Sequence, residues 1–201
     1  MTIKMFCPKW YYLGTVPLKN QEKIKDKFSH FILNDNNFLT PDDWECNVLS
    51  SYQNEKNSDA PWDIFLKEIE PCMTEFLREM YPKSNPQLVT TDAWINKYKR
   101  GGFQENHDHI LSVNDPRFCN LSLVYFYQVD DTNFKFYNRE YGEYKKSGLD
   151  DVFQISIENF TSPQVKNGDL IIFPSHYEHL VNKNTGKKDR ITISINFRAI
   201  P

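Results

Sequence analysis

Arg190-Ile191-Thr192-Ile193-Ser194-Ile195-Asn196-Phe197 alternates polar and apolar residues without a break. In an extended chain successive side chains leave opposite faces. Ile191, Ile193, Ile195 and Phe197 therefore share one face, and Arg190, Thr192, Ser194 and Asn196 share the other. The first face asks for an apolar layer. The second suits either solvent at a sheet edge or a polar-lined cavity.

Working outward from this strand, Leu88–Lys99, Cys119–Val129, Asn133–Tyr137, Val152–Glu158 and Asp169–Phe173 carry the β-branched and aromatic content of further strands. The N-terminal half differs. Residues 3 to 15 read as an extended segment closed by Pro17, and Asn20 is placed to cap a helix over about 21 to 33 with Ile24, Phe28, Phe31 and Ile32 as its apolar stripe. Residues 34 to 60 read as loop around a short ordered piece with Trp44, Val48 and Leu49. A second helix follows Pro61 and gathers Ile64, Phe65, Ile69, Met73, Phe76 and Leu77, with Pro71 expected to kink or divide it. Helices followed by a run of strands predict an α+β fold, an antiparallel sheet or barrel with helices on one outer face. No repeat or linker interrupts residues 1–201, so a single domain is expected.

Composition narrows the function. The chain is 39% hydrophobic and 25% charged, which fits a globular protein. A net charge of -3 supplies no broad cationic field, so nucleic acid is not an expected partner. No apolar run approaches the roughly 18 residues of a membrane span. Pro8 and Lys9 interrupt the start of the chain where a signal peptide would be apolar, so a cytoplasmic protein is expected. Cys7, Cys46, Cys72 and Cys119 are far apart and read as free thiols.

Four of the five histidines fall in two short segments, His107 with His109 and His176 with His179. In an extended segment His107 and His109 point the same way, and Asp108 points opposite. Just beyond Gly101-Gly102, the pair belongs at a sheet rim. His179 follows an apolar strand broken at Pro174, and His176, nearer that proline, is expected to be exposed. If His107, His109 and His179 converge they leave coordination positions open, and such nitrogen donors accept iron or zinc. Arg190 heads the final strand, and a guanidinium on an inward wall matches a carboxylate or phosphate through two hydrogen bonds, with Thr192 on the same face. A salt bridge to one of the 27 acidic residues is the plain alternative.

The stretch from Ala93-Trp94-Ile95-Asn96 through Gly101-Gly102-Phe103-Gln104-Glu105-Asn106-His107-Asp108-His109, and the stretch Leu121–Tyr127, resemble the iron(II)- and 2-oxoglutarate-dependent oxygenases. So do Gly168–Ser175 through His179 and the strand Arg190–Phe197. The nearest branch resembles oxygenases of marine bacteria and their phages related to prolyl 4-hydroxylases. The resemblance implies a double-stranded β-helix, a jelly-roll or cupin-like barrel, over about 87–198, with the flank of about 1–86 packed on one sheet.

It also implies a metal triad of His-x-Asp/Glu and a distant His, which fall on His107, His109 and His179. His109 stands where the family carries an acid, and Asp108 remains an alternative second ligand. The implied cosubstrate residues are Arg190, Thr192, Tyr98 and Tyr125. The implied reaction couples oxidative decarboxylation of 2-oxoglutarate, with Fe(II) and O2 and with ascorbate in a supporting role, to hydroxylation of a C–H bond. A prolyl or other peptidyl side chain is the first substrate, a small molecule the second. The competing reading is a non-catalytic zinc- or ligand-binding β-barrel. Loops at Asn114–Phe118 and 138–151 are placed to border the cavity, and oligomeric state is open.

Overall fold

The computed structural model describes residues 9–84, 86–130, 134–148, 151 and 158–201. Two long helices precede most of the sheet. In the first, Leu18–Leu33 (α1), Ile24, Phe28, Phe31 and Ile32 are buried at the spacing of one helical face. Asn20 does not cap it. Pro17 does, its carbonyl accepting from the Asn20 and Gln21 N–H groups, while the Asn20 side chain donates to the Glu68 carbonyl at 2.9 Å. The second helix, Trp62–Met80 (α2), runs through Pro71 undivided. Pro71 lies on the exposed side, and burial of Phe65, Ile69, Cys72 and Phe76 on the other side holds both halves to one surface.

The described residues form ten strands in chain order: β1 Tyr12–Thr15, β2 Leu49–Ser50, β3 Gln87–Tyr98, β4 Gln104–His107, β5 Leu121–Gln128, β6 Phe134–Tyr137, β7 Phe160–Thr161, β8 Asp169–Pro174, β9 His179–Val181 and β10 Arg190–Ile200. All pair antiparallel, in a six-stranded sheet ordered β1-β8-β5-β10-β3-β2 and a four-stranded sheet ordered β4-β9-β6-β7. This is the double-stranded β-helix, with the helices on one face of the larger sheet. Residues 141–146 form a short helix (α3) rather than a loop. The strand expected at Val152–Glu158 falls, apart from Glu158, outside the described residues.

Both faces of β10 are buried from Arg190 through Phe197. Ile191, Ile193, Ile195 and Phe197 join the helices in one core, where Phe65 meets Phe28 and Tyr125 edge-on at 5.8 and 5.5 Å. A second core, with Val124, Phe126, Phe134, Phe136 and Phe173, fills the space between the sheets. The polar face of β10 is thus sealed inside the barrel rather than solvated, because the smaller sheet closes over it. Phe65 is fully buried, so Phe65→Ala is expected to lower stability by about 3–5 kcal/mol, measured by urea denaturation. No helix among the described residues is long and apolar enough to cross a membrane. Cys46, Cys72 and Cys119 are free thiols, and Cys7 lies outside the described residues.

Candidate metal centre

The turn after β3 carries the chain from the large sheet to the small one. Gly101 takes φ of 81°, and a Cβ on Gly102 would lie 2.8 Å from the Lys99 carbonyl oxygen, so two glycines allow the reversal. β4 then pairs with β9 so that His107 stands directly opposite His179. His109 lies just past the end of β4, anchored by its N–H to the Ser175 carbonyl at 2.9 Å.

The three rings converge. Centroids are 4.3 Å apart for His107 and His179, 5.0 Å for His109 and His179, and 5.4 Å for His107 and His109. One nitrogen from each lies within 4.8 Å of the others. Each Nδ1 faces an acceptor: the Glu105 carbonyl at 2.8 Å for His107, the Tyr177 carbonyl at 3.0 Å for His179, and Asn196 Oδ1 at 2.8 Å for His109. These partners place the proton on Nδ1 and leave the Nε2 lone pair of each ring for a cation. Gln104 Nε2 reaches His107 Nε2 at 3.3 Å, a long contact that a metal would displace. Asn196 also accepts from Ser122 Oγ at 2.8 Å, so two residues of the large sheet orient His109.

Burial lowers the pKa of all three imidazoles: His107 below its usual value, His109 to about 3, and His179 well below the usual range. Neutral imidazole is the form that binds metal. It also sets an acid limit on the metal-free fold. The unfolded chain takes up these protons near pH 6.5 while the folded chain resists them. The stability these groups contribute is therefore present above about pH 6.5 and falls as the pH drops below it. The urea midpoint of metal-free protein is expected to fall steeply between pH 7 and 5, and less steeply in His109→Gln; equal slopes would count against this account.

Inward from the histidines lies a narrow cavity of about 20 Å³. One wall is made by cross-strand pairs of β10 and β3: Arg190 opposite Tyr98, Thr192 opposite Asn96, Ser194 opposite Trp94. Val124, Phe126, Phe134 and Val181 supply the apolar remainder. Arg190 is 3% exposed, donates to the Asn182 carbonyl at 3.3 Å and lies over the Tyr98 ring at 5.8 Å. Tyr98 donates its hydroxyl to Gln104 Oε1 at 2.8 Å, and burial raises its pKa. Among the described residues the lining contains one guanidinium, Arg190, and no carboxylate. Among the described residues two buried polar atoms, Trp94 Nε1 and Asn96 Oδ1, have no hydrogen-bond partner, and Trp94 borders both this cavity and the space outside the histidines.

Two sequence expectations change. Tyr125 is not in the cavity: Val124 and Phe126 occupy the inner face of β5, so period-two alternation sends Tyr125 to the helices, against Phe65. Asp108 points away from the histidines, accepting from the Ile110 N–H at 3.1 Å and facing Arg139 at 3.5 Å. His176 is exposed, as expected. Ser122 and Asn196 escaped sequence reading as partners of His109. Their only signal was a polar residue inward on each of two apolar strands.

Three neutral imidazoles thus converge at the rim of a double-stranded β-helix, a group that could hold one metal ion. Residues 92–196 match the family described as "Putative 2OG-Fe(II) oxygenase", and the chain belongs to that family. Fe(II) and 2-oxoglutarate are its cofactors. A search of curated protein sequences gives no match.

Among solved structures the fold is similar to a prolyl-4-hydroxylase of Pseudomonas putida, with 12% identity over 94% of this chain and 92% of that one, and a TM-score of 0.60. It is similar to HygX of Streptomyces hygroscopicus, solved with nickel, 2-oxoglutarate and hygromycin B, at 9% identity over 94% and 83% of the two chains, with a TM-score of 0.58. It is also similar to the viral collagen prolyl hydroxylase of Paramecium Bursaria Chlorella virus-1, solved with 2-oxoglutarate, at 12% identity over 96% and 97%, with a TM-score of 0.54.

Proposed function

We propose that the chain hydroxylates a C–H bond of a peptidyl side chain, a prolyl ring first, using Fe(II) held by His107, His109 and His179. When bound, Fe(II) with 2-oxoglutarate and O2 supplies the oxidation: the substrate gains one oxygen atom, and the 2-oxo acid leaves as succinate and CO2. The observation that carries this reading is the convergence of three imidazole nitrogens at a cavity whose wall holds Arg190.

The chain's own groups have three tasks. Arg190 holds the far carboxylate of the cosubstrate, with the Thr192 hydroxyl as a second donor and the Tyr98 ring beneath the guanidinium. Asn196, Glu105 and Tyr177 fix the imidazoles through Nδ1. Val124, Phe126, Phe134 and Val181 exclude water around the cosubstrate. No protein general base is required for a C–H oxidation, which fits a cavity without paired carboxylates.

The peptidyl substrate is supported by prolyl hydroxylases among the similar folds. Within the family we place the chain beside the oxygenases of marine bacteria and phages, on the motifs set out above, and in the cytoplasm of its cell or host.

Anaerobic loading with Fe(II) and then 2-oxoglutarate tests the site. The expected result is the weak visible charge-transfer band of a 2-oxo acid chelated to Fe(II). Full metal loading without that band would leave the zinc-binding alternative instead. His109→Asp, which restores the family's usual acid, is expected to retain stoichiometric Fe(II) by metal analysis. An intact fold without iron would count against His109 as a ligand.

A further inference from the structure

On the outer side of the histidines, a groove of about 360 Å³ shares Trp94, Gln104, His107 and His109 with the cavity. Its charge is one-sided. Asp43, Asp92, Glu105 and Asp108 line it, against one cation, Arg117. Arg117 is held by Asp115 through two nitrogens at 3.2 Å and donates to the Tyr52 hydroxyl at 3.3 Å. Asp108 faces Arg139, but Asp92 and Asp43 make no ion pair among the described residues. Asp92 is half-buried and accepts from the neighbouring Ala93 N–H at 3.0 Å.

Aromatic rings border these carboxylates. Trp44 and Tyr52 stack with centroids 5.7 Å apart, and Tyr52 meets Trp94 edge-on at 5.5 Å. Ring faces beside carboxylates favour a cation that carries an apolar stem. Trp94 adds an independent requirement. It is 5% exposed, and its Nε1 has no hydrogen-bond partner, a state that costs free energy until an acceptor arrives. The occupant thus needs both a positive charge and an acceptor oxygen, a combination that a basic peptide offers at every lysyl or arginyl residue.

We propose that this groove binds a basic peptide, its lysyl or arginyl charge held by Asp92 and Asp43 beside Trp44 and Tyr52, and a backbone carbonyl accepting from Trp94 Nε1. The assignment deepens the reading of the histidines as the reacting centre and rests on it: the basic residue flanks the residue that is hydroxylated.

Calorimetry on the zinc-loaded full chain with 2-oxoglutarate tests it without turnover. The probes are acetyl-Gly-Lys-Pro-Lys-Gly-amide and its two analogues with both lysines replaced by glutamine or by glutamate. The lysyl peptide is expected to bind about tenfold more tightly than the glutaminyl one, with the glutamyl one weakest. Asp92→Asn combined with Asp43→Asn should bring the lysyl and glutaminyl peptides to within about twofold. Trp94→Phe should weaken both alike and leave their ratio intact. Salt should weaken the lysyl peptide alone, a measurement on the unaltered chain that stands if the double variant does not fold.

Equal binding of the three peptides, or a preference that survives in the double variant, overturns the proposal. So does N-acetyl-lysinamide binding as tightly as the pentapeptide, which would assign the groove to small amines. The charge-transfer band is read separately. A band with no charge preference sinks the groove alone; a charge preference with no band keeps the groove and sinks the oxygenase reading.

Discussion

Replacing His179 by alanine is expected to abolish stoichiometric Fe(II) binding, and with it the 2-oxoglutarate charge-transfer band and all turnover. His179 sits opposite His107 in the β4–β9 ladder, so its loss removes one of three donors and leaves two that cannot enclose the ion. Loss of a group that merely orients a ligand weakens metal by roughly 10–100-fold, and loss of a ligand should exceed that range. Metal content after anaerobic reconstitution, with zinc titration as a redox-silent check, measures the effect. His179 also stacks on Phe134 at 5.1 Å and is 3% exposed, so part of any effect could come from packing. His179→Gln fills most of the space and serves as the control. If His179→Ala folds and still binds one equivalent of iron tightly, the triad is wrong.

Arg190→Ala is expected to weaken 2-oxoglutarate binding by about 100-fold, or about 3 kcal/mol, the range of a lost charge-assisted double hydrogen bond. Metal binding should be retained, because Arg190 lies on β10 while the histidines lie on and beside β4 and β9. The midpoint of a 2-oxoglutarate titration of the Fe(II) protein reads the first effect, and metal analysis reads the second. Arg190→Lys should recover part of the affinity, since a point charge attracts the carboxylate without matching its two oxygens. Arg190→Met should recover none. Unchanged 2-oxoglutarate affinity in both Arg190→Ala and Arg190→Met would move the cosubstrate elsewhere and return Arg190 to a structural role.

Much of the fold was legible because period-two alternation is a local property. β3, β5, β8 and β10 each read as strands with ends correct to a few residues, and the burial of Ile24, Phe28, Phe31 and Ile32 followed from helical spacing. Capping was less legible. Asn20 looked like a cap, but its side chain serves α2 by donating to the Glu68 carbonyl, and nothing local to residues 17–21 encodes that partner. Pro71 looked like a break, but an apolar face shared by both halves of α2 outweighs one missing hydrogen bond. The short strands β2, β7 and β9 were missed because two or three residues carry no period. They exist through pairing with distant partners.

The metal centre divides in the same way. That His107 and His109 share a face follows from their spacing alone, as does the opposite direction of Asp108. Alternation also places Arg190 with Thr192, and it places Tyr125 opposite Val124 and Phe126. Which of those faces looks into the barrel is not a local property. Closure of the smaller sheet over the larger one turned the polar face of β10 from a plausible solvent edge into a cavity wall. The β4–β9 register within the smaller sheet set His179 against His107, and closure put Asn196 and Ser122 behind His109 across 87 and 13 residues of chain. The sequence by itself thus determined which side chains travel together, because direction along a strand repeats every two residues. Only the tertiary structure decided which groups meet across strands and which are sealed from water, because ladder register and sheet closure depend on the packing of the whole chain.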